Sequence, residues 1–259
     1  MRLDVIWIYL FQSHSLNSQT TMRYLEGFKM KYVKFGTYTG EENMQIDSGL
    51  LDEAIETQAQ EPIFRLYAWK PRCISLGRNQ KDDFLHANNV KEDVVRRLTG
   101  GRALLHDDEI TYSYITPVSI IPDGETISAS YKYISGILID FFKTLGVELD
   151  FGGGSKGVNF GPMQAPHTKG SMKFDYCMLI STGADVCYQG RKIIGSAQYR
   201  KQGYILQHGG ILFGYDKELL ESLFHEEVTK ESITTVKDIL PDMTKEEFVR
   251  RFEDFILTR

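Results

Sequence analysis

The chain of 259 residues is 42 % apolar and 25 % charged, with a formal net charge of −5: a globular protein with a real core. The acidic balance argues against a general nucleic-acid binder, which carries a basic excess. No run reaches the roughly 20 apolar residues that span a bilayer, so no membrane association is expected. Three cysteines give no disulfide framework; free thiols suit a reducing cytoplasm and leave one available as a nucleophile.

In chain order, residues 1–28 form an N-terminal extension ahead of a single domain over 29–259. Their opening MRLDVIWIYLFQ has no small-x-small cleavage site after its apolar run. Residues 31–38 alternate like a strand. Residues 43–59 read as a helix, with Met44, Ile46, Leu50, Leu51, Ala54 and Ile55 on one broad stripe. IFRLYAWK (63–70) and CISLGR (73–78) are two strands, and DDFLHANN is a short helix. The stretch 94–117 is a strand broken at Thr99-Gly100-Gly101 that resumes as ITYSYIT. Residues 126–145 form the clearest helix, ended by Gly146, and VELDF follows as a strand. Residues 152–173, rich in glycine and proline, read as a long surface loop, of the kind that often forms a lid or binding loop. Residues 184–213 give three strands with turns at Gln189-Gly190 and Gln202-Gly203, and helices at DKELLESLFH and 244–257 close the chain. This order gives an α+β fold, with mixed and antiparallel sheets under packed helices.

Several segments carry candidate chemistry. In Arg96-Arg97-Leu98-Thr99-Gly100-Gly101-Arg102, paired glycines let the backbone approach a ligand beside three cations; a bulge with solvated arginines fits equally well. His106-Asp107 is either an acid–base element or a turn. No second His or Cys stands at ligand spacing, so no metal site is expected. Lys192 lies on an apolar strand, and alternation puts it on one face with Ile194, Ser196 and Gln198. It either meets an acceptor in the interior or snorkels to solvent. Gly195, Ser196 and Ala197 leave space beside that strand. Gln207-His208-Gly209-Gly210 interrupts the next strand, as a β-bulge with a packed histidine or as part of a site. Cys73 and Cys187 read as small buried hydrophobes. Cys177, at the end of the glycine-rich loop, is the cysteine most able to ionise; a packed core position is the other reading.

Taken together, RRLTGGRALLHDDEITYSY and GRKIIGSAQYRKQGYILQHGGIL, preceded by the Asn43-Met44-x-x-Asp47 helix and FRLYAWKPRCISLGRNQ, resemble the lipoate–protein ligase and octanoyltransferase superfamily, related in fold to biotin ligases. The resemblance covers roughly residues 31–215 and implies a ligase-like catalytic domain. Arg102 replaces the third glycine of the ATP-dependent ligases, His106-Asp107 is followed by Asp108-Glu109, and little chain remains for an accessory domain. These departures point to the cysteine-dependent, LipM-type octanoyltransferase branch. The resemblance then implies Cys177 as nucleophile, matched by its spacing from Gly190, and Lys192 as its catalytic partner. Arg96, Arg97, Gly100, Gly101, His106, Gly195, Ser196, Ala197 and His208 would bind substrate, and Arg96, Arg97, Arg102, Lys70 and Arg72 would face acidic carriers. The implied donor is an acyl carrier protein. The implied acceptor is a lysine of a lipoyl domain of a 2-oxoacid dehydrogenase or of the glycine-cleavage H protein. No cofactor is implied. ATP and Mg²⁺ enter only for an ATP-dependent lipoate ligase, the first alternative; an amidotransferase working between carrier proteins is the second, and a non-catalytic acyl binder the third.

Overall fold

The computed structural model describes residues 5–7, 30–152, 178 and 185–258. Cys177, most of the N-terminal extension and nearly all of the glycine-rich segment lie outside the described residues.

The chain builds two sheets. The larger contains β1 (Val5–Trp7), β2 (Lys31–Tyr38), β3 (Ile63–Trp69), β7 (Glu109–Pro117), β8 (Asp150–Phe151), β9 (Val186–Tyr188), β10 (Arg191–Lys201) and β11 (Tyr204–Leu212), in the order β1-β2-β3-β7-β11-β10-β9-β8. The smaller contains β4 (Cys73–Leu76), β5 (Asp93–Arg96) and β6 (Leu104–His106), in the order β5-β4-β6. The consecutive strands 63–70 and 73–78 thus part company at Pro71-Arg72, one into each sheet. Both sheets mix parallel and antiparallel pairs.

Helix α1 (Gly40–Glu56) begins ahead of the expected Asn43 because Thr39 and Glu42 form a capping box: the Glu42 N–H donates to Thr39 Oγ1 at 3.3 Å, and the Thr39 N–H donates to the Glu42 carboxylate at 2.9 Å. Helices α2 (Asp83–Ala87), α3 (Ile127–Thr144), α4 (Lys217–Phe224) and α6 (Lys245–Leu257) fall where periodicity predicts them, and α3 ends at Gly146 with φ +77°. A short α5 (Val236–Ile239), capped by Thr235, was not foreseen. The expected strand VELDF shrinks to β8, while Val147 and Leu149 pack into the core instead of pairing.

One face of the large sheet is mainly apolar, with Gln198 and Gln207 meeting Ser130 and Ser135 of α3. Phe64, Leu66, Tyr112 and Ile205 meet Ile134 and Phe141 of α3 and Phe248 and Phe252 of α6. Phe141 and Phe252 touch edge to face at 4.6 Å, a contact worth roughly 0.5–1.5 kcal/mol beyond the area it buries. The opposite face takes α1 at one end, through Leu50, Leu51 and Ala54, and the small sheet at the other. Because side chains alternate along a strand, Arg65, Tyr67, Thr111 and Ser113 point to this second face.

The expected interruption of β11 is absent. Gln207 to Gly210 pair in unbroken register with Tyr114 to Thr111 on one side and Gln198 to Gly195 on the other. The bulge sits instead in β10, between Lys192 and Ile194. The glycines of β11 permit close approach: a Cβ on Gly209 would lie 2.3 Å from the Gly195 carbonyl oxygen. Among the described residues, no helix is long and apolar enough to cross a membrane.

Candidate active site

A cavity of about 60 Å³ lies between the sheets. Trp69, Thr111 and Gly210 line it from the large sheet, Ser75 and Leu104 from the small one, and Met44 from α1. Of the residues singled out by sequence, Gly195, Ser196 and Ala197 form one wall, Arg97 and Gly101 another, and His106 and His208 also border the space. Arg96 and Gly100 do not. Arg96 donates to the carbonyls of Gly77 and Gln80 at 2.9 and 2.8 Å, and the Gly100 carbonyl accepts from Arg97 at 2.9 Å.

Lys192 is 1 % exposed and does not snorkel; its ammonium lies 3.0 Å from Asp185 Oδ1. The bulge after it breaks the alternation that would place it with Ser196 and Gln198. A Cβ on Gly195 would sit 3.0 Å from Lys192 Cε and 2.9 Å from Met178 Sδ, so the lysine stem packs against Gly195 and Met178, which line the cavity; Lys192 itself lies behind them and does not border it. Burying a lysine is costly unless an acceptor meets it, and Asp185 supplies that acceptor.

Arg97 is turned inward and cannot face a carrier protein. It is 7 % exposed, and its guanidinium donates to the carbonyls of Ser75 and Arg102 at 2.9 and 2.7 Å as well as to that of Gly100. It also donates to Ser75 Oγ at 3.0 Å and, through Nε, to Thr99 Oγ1 at 3.1 Å. The planar five-donor fork thereby fixes the glycine loop from within. Arg72 remains at the surface, beside Glu92 at 3.2 Å.

Two histidines extend from this arginine. Thr99 Oγ1 lies 2.7 Å from His208 Nε2, and His208 Nδ1 lies 3.4 Å from Asp47 Oδ2. Asp47 further accepts from Arg65 at 2.7 Å, Tyr67 at 2.9 Å and Ser113 at 2.9 Å. Burial alone would raise the Asp47 carboxyl, but the Arg65 guanidinium together with His208 outweighs it and holds the group below its ordinary 3.8. Burial pushes His208 below its ordinary 6.5 against the pull of Asp47, so the ring is neutral at pH 7. On the other side, His106 Nε2 lies 2.7 Å from Ser75 Oγ and Nδ1 lies 2.6 Å from Glu109 Oε1, with the ring stacked on Trp69 at 3.8 Å. Trp69 Nε1 donates to Thr111 Oγ1 at 2.7 Å, and that hydroxyl donates to Glu109.

Sequence reasoning identified the two histidines but missed their partners. Asn43 and Asp47 were noted only as a pattern; Asn43 accepts from Arg65 at 2.6 Å and donates to the Tyr38 and Ala68 carbonyls, tying α1 to β3. The readable signal was Arg65, a charged residue inside the apolar run IFRLYAW. Cys73 and Cys187 are buried, and burial, reinforced by Asp93, pushes the Cys73 thiol up to about 12. Cys73 therefore supplies no thiolate at neutral pH. Among the described residues, no group of three His, Cys, Asp or Glu side chains is arranged to hold a metal ion.

A family model described as the lipoyl protein ligase A/B catalytic domain matches residues 39–256. The chain is 36 % identical over 221 residues to octanoyltransferase LipM of Macrococcus caseolyticus, covering 79 % of this chain and 75 % of that protein. It is 32 % identical over 228 residues to octanoyltransferase LipM of Carboxydothermus hydrogenoformans, covering 84 % and 80 %. Among solved structures, a lipoate-protein ligase A bound with ATP matches with a TM-score of 0.58 at 21 % identity, covering 86 % of this chain and 84 % of that one. A bipartite lipoate protein ligase of Thermoplasma acidophilum matches with a TM-score of 0.55 at 19 % identity, covering 86 % and 81 %. At these identities the two structures share the fold.

Proposed function

The chain belongs to the lipoyl protein ligase A/B catalytic-domain family and is an acyltransferase, and from that premise we propose that it moves an octanoyl group from acyl carrier protein to the target lysine of a lipoyl domain or glycine-cleavage H protein through a thioester on Cys177. The names of its relatives in Macrococcus caseolyticus and Carboxydothermus hydrogenoformans, both octanoyltransferases, support the acyl group. The observation that carries the mechanism is Lys192, a buried ammonium held by Asp185 beside Gly195 and Met178. Met178 lines the cavity and is the chain neighbour of Cys177.

In this scheme the Cys177 thiolate attacks the donor thioester carbonyl, the C–S bond to the carrier breaks, and the carrier thiol leaves with a proton. The neutral amine of the acceptor lysine attacks the new thioester, returns the Cys177 thiol and forms an amide. Replacing a thioester by an amide is downhill, so no nucleotide is required. The Lys192 ammonium stabilises the oxyanion in both steps, a contribution of about 10²-fold or more in rate. The cavity between the sheets holds the acyl chain.

The test is transfer without nucleotide. Octanoyl-acyl carrier protein and an apo lipoyl domain, incubated with the enzyme alone, should give an octanoylated lipoyl domain by intact mass. Transfer of free lipoate that demands ATP and Mg²⁺, with no carrier-dependent reaction, overturns the reading in favour of an adenylating ligase. Exchange only between lipoylated proteins selects an amidotransferase.

A further inference from the structure

The Ser75 hydroxyl stands between the Arg97 guanidinium and the His106 ring, and one tautomer of that ring serves all its contacts. The Arg97 guanidinium only donates, so Ser75 Oγ accepts from it at 3.0 Å. Glu109 Oε1 accepts the proton of the Thr111 hydroxyl, which itself accepts from Trp69, and the same carboxyl oxygen lies 2.6 Å from His106 Nδ1, which donates to it. The remaining ring nitrogen, Nε2, accepts the Ser75 proton at 2.7 Å. A hydroxyl thus aims its proton at a histidine whose other nitrogen is anchored by a carboxylate, and ring rotation is blocked by Trp69 stacked at 3.8 Å and 14°. Glu109 is itself fixed by Thr111, which Trp69 holds in turn. Ser75 and His106 both line the cavity that the proposed reaction assigns to an acyl chain.

This is the geometry of nucleophile, base and orienting acid, which is recognised by roles and distances and not by chain order. We propose that Ser75, His106 and Glu109 form a second acyl-accepting centre, distinct from Cys177, that takes medium-chain acyl esters and thioesters and releases the free acid. Ser75 Oγ attacks the acyl carbonyl while His106 Nε2 takes its proton. The bond to the leaving alcohol or thiol breaks, and that group departs with the proton returned by His106. Water, activated by the same nitrogen, then cleaves the Ser75 ester to octanoate and restores the hydroxyl. The parallel chain Thr99–His208–Asp47 lacks two of these features: Thr99 does not line the cavity, and the His208 to Asp47 contact is longer, at 3.4 Å.

The activity is separable from transfer because it needs no cysteine. A Cys177→Ala chain is treated with an alkyl fluorophosphonate bearing an eight-carbon chain, and in parallel with p-nitrophenyl octanoate. The expected result is a phosphonyl adduct mapped to Ser75 by peptide mass, with fluoride released, and turnover of the ester to octanoate. Ser75→Ala in the same background removes the adduct, and Glu109→Gln slows turnover by about 10⁴-fold, as loss of the orienting acid does in such triads. A thermal melt confirms that each variant is folded. The fluorophosphonate is also mapped on the unsubstituted chain, where label on Ser75 is expected whatever becomes of Cys177. Absence of label from Ser75 in the folded Cys177→Ala chain, or from both chains, overturns the proposal. Because the decisive arm lacks Cys177, failure of the thioester scheme and failure of this one are read separately.

Discussion

Asp47→Asn perturbs the buried junction between helix α1 and the site. Asp47 is 2 % exposed and Arg65 is 1 % exposed. The carboxylate accepts from Arg65, Tyr67 and Ser113 at 2.7, 2.9 and 2.9 Å and meets His208 at 3.4 Å. The amide keeps the volume but removes the charge, and its NH₂ confronts groups that themselves donate. The Arg65 guanidinium is left without a counter-charge, though Asn43 Oδ1 at 2.6 Å and the Tyr67 ring at 3.9 Å still touch it. Breaking a buried pair on one side costs about 3–5 kcal/mol. For a chain of this size that is a fall in Tm of roughly 6–20 °C, at roughly 2–4 °C per kcal/mol. The double variant Asp47→Leu, Arg65→Met removes both charges and should recover most of the loss, since a buried pair contributes little against a packed apolar replacement. Denaturant melts of the parent, Asp47→Asn and double-variant chains measure the loss and its recovery. A loss below about 1 kcal/mol for Asp47→Asn refutes the idea that the carboxylate is the acceptor organising this face.

Other outcomes follow from single contacts. Gly209→Ala forces a Cβ to within 2.3 Å of the Gly195 carbonyl. The β10–β11 pairing must part, costing about 1–3 kcal/mol and deforming the cavity wall, so a melt and a transfer assay should fall together. Lys192→Met keeps the stem and deletes the ammonium; single-turnover transfer should drop at least about 10²-fold, and a rate within tenfold of the parent removes Lys192 from the mechanism. His208 is depressed on folding. The unfolded chain therefore binds a proton first as pH falls, and stability contributed by the neutral ring declines below about 6.5 until the folded value is reached. Asp47 is also depressed, so its contribution is complete above about 3.8 and is lost as pH falls through its folded value. Tm measured from pH 8 to 4 should slope downward below about 6.5, and His208→Asn should flatten that upper limb.

Local patterning made the helices legible. The apolar spacing of Ile134, Ile137, Leu138, Phe141 and Phe142 marked α3 because a 3.6-residue period survives whatever packs against it. The faces of β10 were not legible. Counting by two assigns Lys192 to Ser196, and only the unforeseen bulge after Lys192 brings it to Gly195. The opposite error occurred on β11, where glycines suggesting a bulge instead let two strands approach. Arg97 looked like a surface cation because its acceptors include Ser75, on a different strand. The partners of His106 escaped for two reasons. Glu109 is close in sequence but was taken as a family departure, and Ser75 lies in an earlier strand, so that only tertiary pairing of β4 with β6 joins it to the ring.

The proposed transfer is covalent, with the acyl group passing through Cys177 under the influence of Lys192. Enzyme mixed with octanoyl-acyl carrier protein, quenched in acid and weighed intact, should gain one octanoyl mass. That adduct should be removed by neutral hydroxylamine and be missing from a folded Cys177→Ser chain. An undiminished, hydroxylamine-sensitive adduct in the Cys177→Ser chain would contradict the assignment.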